Sequence, residues 1–295
     1  MSIGVGIVGY GYWGPNMVRN FYENLDVDLR WVCDLRAERL TNVQRRYPTV
    51  RVSQQLQDIL SDPKVDAVCV ATPGDSHFEL ARQVLESGRH VLVEKPLCDS
   101  SEKVERLIEL AERKQKVLMV DHTFVYNPAV RCVRSILDSG RLGPLLYFDS
   151  TRVNLGLFQR DVNVLWDLAV HDLAMLDYLV PGRSPEAVSA TGIAHFNGQL
   201  ENMAYLTCFY ADNMVAHIHA NWLAPVKLRR TLIGGEKQMI VYDDLEPSER
   251  VKVYDKGVTV TDERVLKELL ISYRSGDCWC PKIPPGEALQ AEVEH

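Results

Sequence analysis

The stretch of sequence that decides the fold is Ile3-Gly-Val-Gly-Ile-Val-Gly-Tyr-Gly-Tyr-Trp-Gly14, near the start of the chain. Its apolar first half, Ile3–Val8, predicts a buried β-strand. Its second half, Gly9–Gly14, has the spacing Gly-x-Gly-x-x-Gly, and a helical pattern follows. A glycine loop between a strand and a helix is the context in which this spacing binds the pyrophosphate of a dinucleotide.

Each glycine of the loop has a physical task in this interpretation. Gly9 permits the tight turn, Gly11 lets the backbone approach a pyrophosphate, and Gly14 lets the helix pack closely on the strand. The phosphates would then lie at a helix N-terminus, against N–H groups and the positive end of the helix dipole. The alternative is a glycine turn that binds no ligand.

An acidic residue at the end of the next strand supports dinucleotide binding. Asp34 follows the apolar run Leu29–Cys33, twenty positions after Gly14. A carboxylate there accepts hydrogen bonds from ribose hydroxyls and repels a 2′-phosphate, which predicts NAD as the cofactor rather than NADP. Arg36, two residues later, leaves room for NADP. The alternative is a surface aspartate without a ligand.

The alternation of apolar runs and amphipathic stretches continues outward from this motif to about residue 123. This alternation predicts βαβ units and a parallel sheet. From Ala187 to Val260, strand-like runs follow one another without helices, which favours an antiparallel or mixed sheet. We therefore predict an α/β protein with an N-terminal doubly wound Rossmann domain over 1–123. The C-terminal α/β domain, over 124–295, is predicted to contain a large, mostly antiparallel open sheet.

Composition excludes several classes of protein. The 295 residues carry a formal charge of −7, which disfavours binding to nucleic acid or to an anionic membrane surface. No run approaches about 18 uninterrupted apolar residues, and the start of the chain lacks the basic segment of a signal peptide. The seven cysteines include no Cys-x-x-Cys pair. We expect a cytoplasmic protein with reduced thiols and no bound metal.

A lysine stands where the sheet would present its ligand site. Lys95 follows the apolar run His90–Val93 within Glu94-Lys95-Pro96. In an open parallel sheet, ligands bind outside the carboxyl ends of the strands. A lysine there could hold a substrate hydroxyl or carbonyl group and exchange a proton with it. The alternative is a surface lysine at a strand exit.

A second candidate pair lies in the C-terminal half, on a helical stripe predicted over Asp167–Leu179. In a regular α-helix, Asp167 and His171 are four residues apart and share a face, whereas Asp172 points elsewhere. A carboxylate beside an imidazole fixes its tautomer and favours its protonated form. The pair therefore has the chemistry of a general acid/base, although an ordinary surface acid–histidine pair has the same pattern.

Together these motifs resemble the glucose–fructose oxidoreductase / inositol dehydrogenase / MocA family over nearly the whole chain. The pattern also includes Ala71-Thr72-Pro73 with His77 four residues later. The family implies a Rossmann domain, a C-terminal α/β domain and NAD(P)-dependent sugar redox chemistry. The resemblance implies that the following residues contact the cofactor: Gly9, Gly11, Tyr12, Trp13, Gly14, Asp34, Thr72, Pro73, His77, Glu94 and Lys95.

The resemblance also implies catalytic roles. Lys95 matches the family's catalytic lysine, whose bond to the following proline, here Pro96, is often cis. The Asp-x-x-x-His pattern implies that His171 and Lys95 face the reacting carbon, with His171 as general acid/base and Lys95 orienting the hydroxyl. Asp167 then assists His171 or binds substrate.

Substrate contacts are suggested by the segment Arg152–Trp166, which resembles a branch acting on nucleotide-linked sugars, including uronic acids. Arg152 and Asn154 share one face of a predicted strand, and an arginine there could pair with a carboxylate or a diphosphate. Arg152 could equally pair with an acid at a subunit interface. His122 is a further candidate for substrate contact. The branch commonly has proline where this chain has Val170.

The leading interpretation is an oxidoreductase that moves hydride between NAD and a secondary hydroxyl or keto carbon of a sugar, preferably a nucleotide sugar of polysaccharide biosynthesis. Two alternatives stay open: an NAD-dependent glycosidase that oxidises its substrate transiently, and a non-catalytic NAD-binding regulatory protein. Relatives commonly pair through the face of the C-terminal sheet, so we expect a homodimer or homotetramer. Family members usually run longer and end in a helix that returns to the Rossmann domain, so we expect a truncated C-terminus.

Overall fold

The computed structural model describes residues 2–156, 162–196, 200–260 and 271–295. The chain divides into two compact units, one formed by Met1–Thr123 with Leu289–His295, the other by Phe124–Ala288. Each unit has its own sheet. None of the helices in the described ranges is long and apolar enough to cross a membrane.

The first unit is a six-stranded parallel sheet flanked by helices. Its strands lie in the order β3-β2-β1-β4-β5-β6, which confirms the predicted doubly wound Rossmann sheet. The strands are β1 (Ile3–Val8), β2 (Val27–Cys33), β3 (Arg51–Ser53), β4 (Ala67–Val70), β5 (His90–Glu94) and β6 (Leu118–Asp121). The helices are α1 (Gly14–Glu23), α2 (Ala37–Arg46), α3 (Leu56–Ser61), α4 (His77–Glu86) and α5 (Ser101–Lys114).

The topology of this sheet fixes where a ligand can bind. The chain runs outward in opposite directions from β1 and β4, so the helices that follow these strands cover opposite faces. A crevice forms at such a switch point, outside the carboxyl ends of the two strands. The loop at Gly9 follows β1, and Thr72 lies just beyond the end of β4. Both motifs therefore lie at the switch point of the sheet.

The last helix of the chain, α8 (Ala288–Glu294), belongs to the first unit from Leu289 onward. Leu289 is buried in one of the unit's two hydrophobic clusters, and Val293 packs against the same cluster. Glu292, on the same helix, is also buried. The end of the chain is therefore packed into the core of the dinucleotide-binding unit.

The second unit contains an eight-stranded sheet in the order β14-β13-β12-β11-β7-β10-β9-β8. Each pair of neighbouring strands is antiparallel except the pair β7 and β10, which is parallel. This confirms the predicted, mostly antiparallel sheet. The strands are β7 (Leu145–Leu155), β8 (Ala187–Ile193), β9 (Met203–Phe209), β10 (Val215–Asn221), β11 (Leu223–Gly235), β12 (Met239–Asp243), β13 (Val251–Val260) and β14 (Ile271–Trp279). The helices are α6 (Pro128–Asp138) and α7 (Val170–Leu179).

The two faces of this sheet differ. One face carries the core, in which Val133 of α6 and Met175 of α7 share a cluster with Phe148 and Ile218 of the sheet. On β7, the buried residues Phe148, Ser150 and Arg152 alternate with exposed or half-buried ones, as the pleat requires. Large side chains on the other face remain exposed, namely Tyr147, Tyr205 and Phe209.

Candidate active site

The glycine loop has the backbone that its sequence predicts. Gly9 has a φ of +99°, and a Cβ at this position would lie 2.5 Å from the carbonyl oxygen of Ala71. A side chain is therefore excluded both by conformation and by space. A Cβ on Gly14 would collide with the carbonyl oxygen of Gly9, so the helix begins in direct contact with the loop. The close packing assigned to Gly14 is thus made against the loop.

Gly11 differs from these two glycines because a Cβ added to it would meet no backbone atom within 4 Å. The nearest atom to a Cβ at Gly11 is Nη1 of Arg39, 3.6 Å away. Helix α1 starts without a side-chain cap and without an acidic residue in its first turn. A pyrophosphate approaching here meets the positive end of the helix dipole and no competing carboxylate in that turn. Tyr12 is 88% exposed beside this space.

Asp34 is buried, and its carboxylate is already engaged. Oδ2 accepts hydrogen bonds from the Tyr10 backbone N–H (2.7 Å) and from Nη1 of Arg39 (3.1 Å). Oδ1 accepts from the Arg36 backbone N–H at 2.9 Å. Burial alone raises the pKa of Asp34, but these hydrogen bonds outweigh it and hold the pKa below its usual value. Since a carboxylate offers about four lone-pair sites, about one remains for a ribose hydroxyl.

Around β4 the structure gives His77 a supporting position. Its imidazole is buried, with Nδ1 2.8 Å from the Pro96 carbonyl oxygen and Nε2 2.8 Å from the Thr72 carbonyl oxygen. The Thr72 hydroxyl is hydrogen-bonded to the hydroxyl of Ser76. His77 therefore ties the residues after β4 to the loop after β5. Thr72 and Pro73 lie just beyond the carboxyl end of β4.

Lys95 directly follows β5, and its peptide bond to Pro96 is cis, as the resemblance implied. Glu94 before it faces Asp121 at the end of β6. Burial and the negative charge of Asp121 raise the pKa of Glu94 well above its usual value. His122 comes next in the chain after Asp121, and its backbone N–H donates to the Val120 carbonyl oxygen.

In the second unit, the segment with Asp167 and His171 is not one regular α-helix. It begins with a π-helical turn, Leu165–Ala169, and α7 starts only at Val170. The four-residue spacing of an α-helix therefore does not describe this pair. The carboxylate of Asp167 accepts a hydrogen bond from Nε1 of Trp222 at 3.0 Å. π-Helical turns of this kind are frequent at functional sites.

His171 packs against Phe124, with ring centroids 5.0 Å apart. Phe124 also makes cation–π contacts with two arginines. The guanidinium carbon of Arg152 lies 4.4 Å from the ring centroid, and that of Arg229 lies 5.6 Å from it. An aromatic ring with cations over it gains electrostatic stabilisation. Phe124 thus contacts both the His171 imidazole and the two guanidinium groups.

Arg152, a predicted substrate contact, is 3% exposed and forms an ion pair with Asp172. Its Nε is 2.6 Å from Oδ2 of Asp172, and its Nη2 is 3.2 Å from Oδ1. Ser150 donates a further hydrogen bond to Asp172. The arginine therefore pairs with an acid of its own unit, and this arrangement supports the residue next to His171. Asn154, on the same strand, is half-buried.

Several residues of these sites carried no signal in the sequence. Phe124, Arg229 and Trp222 are ordinary core or sheet residues by composition, and their contacts with the candidate groups are distant in sequence. Asp172 was recognisable only as a residue pointing away from His171. Arg39, which holds Asp34, lies five residues beyond it on α2. A basic residue in the first turn of the helix after the acid is the sequence signal for this contact.

Comparison with known proteins agrees with this geometry. Residues 3–122 match a family model described as an oxidoreductase family with an NAD-binding Rossmann fold, and residues 130–241 match the GFO/IDH/MocA C-terminal domain. The chain is 28% identical over 255 residues to UDP-N-acetylglucosamine 3-dehydrogenase of Acidithiobacillus ferrooxidans, covering 85% of this chain and 77% of that protein. It is 26% identical over 264 residues to the uncharacterized oxidoreductase YdgJ of Escherichia coli (84% and 73% covered).

A solved structure gives the same relationship in three dimensions. The A. ferrooxidans UDP-N-acetylglucosamine 3-dehydrogenase GnnA superposes with a TM-score of 0.82 at 25% identity, covering 100% of this chain and 87% of that one. The glycine loop, the buried acid after β2 and the uncapped start of α1 fit NAD, in agreement with the family model. The protein therefore belongs to the Gfo/Idh/MocA family of oxidoreductases, and its first unit is the NAD-binding domain of that family.

Proposed function

We propose that this oxidoreductase transfers hydride between NAD and a secondary carbinol carbon of a nucleotide-linked sugar. The observation that carries the proposal is that a lysine at the carboxyl end of β5 and a histidine at the start of α7 accompany an NAD-binding fold. The similarity over most of the chain to a UDP-N-acetylglucosamine 3-dehydrogenase supports the substrate class. We also propose that the reaction belongs to the synthesis of polysaccharide precursors.

The chemistry needs a hydride acceptor and a proton acceptor. When bound, NAD supplies the hydride acceptor at its nicotinamide ring. The carbinol loses its hydroxyl proton as the hydride leaves, and we propose that His171 accepts this proton while Lys95 orients the hydroxyl. Such a positioned acid/base contributes about 10²- to 10⁴-fold in rate. The contact with Phe124 limits the orientations of the His171 ring, and the bond from Trp222 limits those of Asp167.

The remaining roles follow from exposure and existing bonds. We propose that Gly9, Gly11 and Gly14 hold the pyrophosphate and that Asp34 accepts a ribose hydroxyl, while Tyr12, Trp13, Thr72, Pro73, Glu94 and Lys95 complete the cofactor site. His77 supports the site through backbone carbonyls. We propose Asn154 and His122 as substrate contacts. For Arg152, burial and the bond to Asp172 support a structural role beside His171.

We further propose that the protein forms a homodimer or homotetramer through the open face of the second sheet. Exposed aromatic side chains on that face, Tyr205 and Phe209, support this proposal, because contiguous apolar surface commonly marks an interface. Light scattering over a range of concentrations tests it. A dimer or tetramer is expected, and a monomer at every concentration would contradict it.

A panel of UDP- and dTDP-linked sugars, tested with NAD, examines the proposed activity. We expect at least one sugar to raise the melting temperature in the presence of NAD and to give NADH. Sugar hydrolysis without net NADH would instead support transient oxidation by a glycosidase. NAD binding without redox change across the panel would support a regulatory protein. Either result would contradict the proposed dehydrogenase.

A further inference from the structure

Three carboxyl side chains meet inside the first unit, and the proposed reaction uses none of them as an acid or base. They are Glu94 at the end of β5, Asp121 at the end of β6 and Glu292 on α8, here called the carboxyl cluster. Asp121 is 1% exposed and Glu292 is 2% exposed. No group of His, Cys, Asp and Glu side chains in the described part of the chain is arranged to hold a metal ion.

Asp121 is the acceptor at the centre of this cluster. Its Oδ2 accepts a hydrogen bond from Nε1 of Trp13 at 3.0 Å, and its Oδ1 accepts from the backbone N–H and the hydroxyl of Thr123. Glu94 and Glu292 both face Asp121. Trp13 belongs to the glycine loop, so the cluster is linked directly to the segment that holds the cofactor pyrophosphate.

The charges around the cluster do not permit three ionised carboxylates. Lys95 is the cation that faces Glu94, whereas Glu292 faces Asp121, Glu94 and the hydroxyl of Thr123. The thiol of Cys69 on β4 also faces the three acids, and its burial and their charge raise its pKa. Like charges brought together in a buried place cannot all ionise, because burial removes the solvation of each charge and one cation, Lys95, faces three acids.

Protonation resolves this conflict. Burial, together with Asp121 and Glu94, raises the pKa of Glu292 to about 10. At neutral pH Glu292 is therefore a neutral acid, and its O–H can donate to the Asp121 carboxylate. Burial and Asp121 raise the pKa of Glu94 in the same direction. Asp121 accepts hydrogen bonds from Trp13 and Thr123, and the protonated Glu292 beside it supplies a further donor.

We propose that the carboxyl cluster is a proton-linked support of the dinucleotide loop, in which Glu292 and Asp121 are positioning residues for NAD. With the proton on Glu292, α8 stays docked and Asp121 holds the Trp13 indole. Without it, the repulsion between Glu292 and Asp121 displaces α8, releases Trp13 and weakens NAD binding. The proposal rests on NAD as the cofactor and not on the proposed sugar substrate.

The direction of the pH effect follows from proton linkage. When α8 is released from the first unit, the Glu292 side chain has its ordinary pKa of 4.5. When α8 is docked, the pKa of Glu292 is about 10, so the side chain stays protonated up to about that pH. The docked state therefore binds more protons between these limits, and docking weakens as pH rises through them. The ratio of released to docked α8 should rise roughly tenfold per pH unit from neutral pH to about pH 9.

Glu292→Gln tests the proposal, because glutamine keeps the shape and a donor to Asp121 but cannot ionise. Glu294→Gln is the matched control, since it removes an exposed charge from the same helix. Hydrogen exchange of the α8 amides and the NAD dissociation constant are measured against pH for each protein. In the wild type and in Glu294→Gln, the exchange rate of the α8 amides and the NAD dissociation constant should both increase with pH more steeply than in Glu292→Gln. Identical pH profiles in all three proteins would overturn the proposal.

Two further measurements test the proposal without relying on Glu292→Gln. The first tests whether the carboxyl cluster affects NAD binding, and the second tests whether it holds a proton. Trp13→Phe keeps the aromatic packing but lacks the N–H, so NAD should bind more weakly and its affinity should lose the cluster's pH dependence. In the wild type, infrared spectroscopy should show a protonated carboxyl band at neutral pH that disappears as the pH is raised. Absence of that band at neutral pH would overturn the proposal even if Glu292→Gln failed to fold. None of these readouts needs a sugar, so a failed dehydrogenase proposal leaves them interpretable.

Discussion

Arg152 and Asp172 form a buried ion pair in the second unit, with Nε of the arginine 2.6 Å from Oδ2 of the aspartate. Asp172 directly follows His171, and Arg152 lies over Phe124, whose ring contacts His171. The ion pair therefore supports the position of His171 in two ways. Asp172 is joined to it through the backbone, and Arg152 packs on Phe124, whose ring contacts the imidazole. An arginine that resembled a substrate anchor in the sequence is thus part of the support of His171.

Arg152→Ala should destabilise the second unit strongly. The substitution leaves the Asp172 carboxylate buried without its cation, which costs about 3–5 kcal/mol of unfolding free energy. Urea unfolding measures the loss. Arg183→Ala is a suitable control because its pair with Asp212 is exposed on both sides, so about 1 kcal/mol or less is expected. Equal losses in the two variants would contradict the importance of the buried pair.

The glycine loop gives a prediction that separates binding from stability. Gly11→Ala adds a carbon that makes only an ordinary contact, 3.6 Å from Nη1 of Arg39, so the melting temperature should stay near that of the wild type. NAD affinity should fall about tenfold or more, because the carbon occupies space that the pyrophosphate needs. Gly14→Ala should lower the melting temperature itself, since its Cβ meets the Gly9 carbonyl. Calorimetric titration and thermal melts measure the two effects, and unchanged NAD affinity in Gly11→Ala would exclude this cradle.

Asp34 should make the first unit sensitive to acid. Burial raises its pKa, but the hydrogen bonds from Arg36, Tyr10 and Arg39 lower it below the unfolded value. A carboxylate with a depressed pKa contributes stability above its unfolded pKa of about 3.9, and that contribution is lost as the pH falls through the folded value. Asp34→Asn should therefore show a shallower loss of stability below about pH 4 than the wild type. Parallel acid profiles would show that Asp34 contributes nothing to this dependence.

Arg39 should influence the choice between NAD and NADP. Its guanidinium forms an ion pair with Asp34, the residue proposed to accept the ribose hydroxyl, so it can attract a 2′-phosphate at that position. Arg39→Ala leaves the carboxylate with its two backbone donors and without the cation, so NADP affinity should fall more than NAD affinity. Titration with both cofactors measures the ratio. Lys103→Ala on α5, which removes a cation from an exposed pair with Asp99, serves as the control.

Local features of the fold could be predicted because their causes are local. The strand at Ile3–Val8, the loop at Gly9 and the acid after β2 are specified by periodicity and by backbone geometry within about 30 residues. The mostly antiparallel sheet followed from the absence of helices between strands. The parallel pairing of β7 with β10 did not, because it depends on a crossover that no local pattern encodes. Strand β3 has only three residues, which is too short to show the alternating pattern that predicts a strand.

The contacts that organise the site were mostly beyond sequence reasoning. The bond from Trp222 to Asp167 spans 55 positions, and Trp13 reaches Asp121 over 108. Burial also changes what a charged residue can do. Arg152 looked available to substrate by type, yet its ion pair depends on the sheet and α7 packing together. Because a π-helical turn precedes His171, Asp167 and His171 do not have the relative positions that four-residue spacing gives in an α-helix.

Transfer of deuterium tests the central claim most directly. The wild type and the Lys95→Ala/His171→Ala double variant are incubated with NAD and a nucleotide sugar deuterated at its ring carbons, and NADH is analysed by mass spectrometry. We expect one deuterium in the NADH formed by the wild type. The double variant should bind NAD within a few-fold of the wild type but lose most turnover, by about 10²-fold or more. Wild-type turnover persisting in the double variant, or NADH without deuterium, would contradict hydride transfer by these residues.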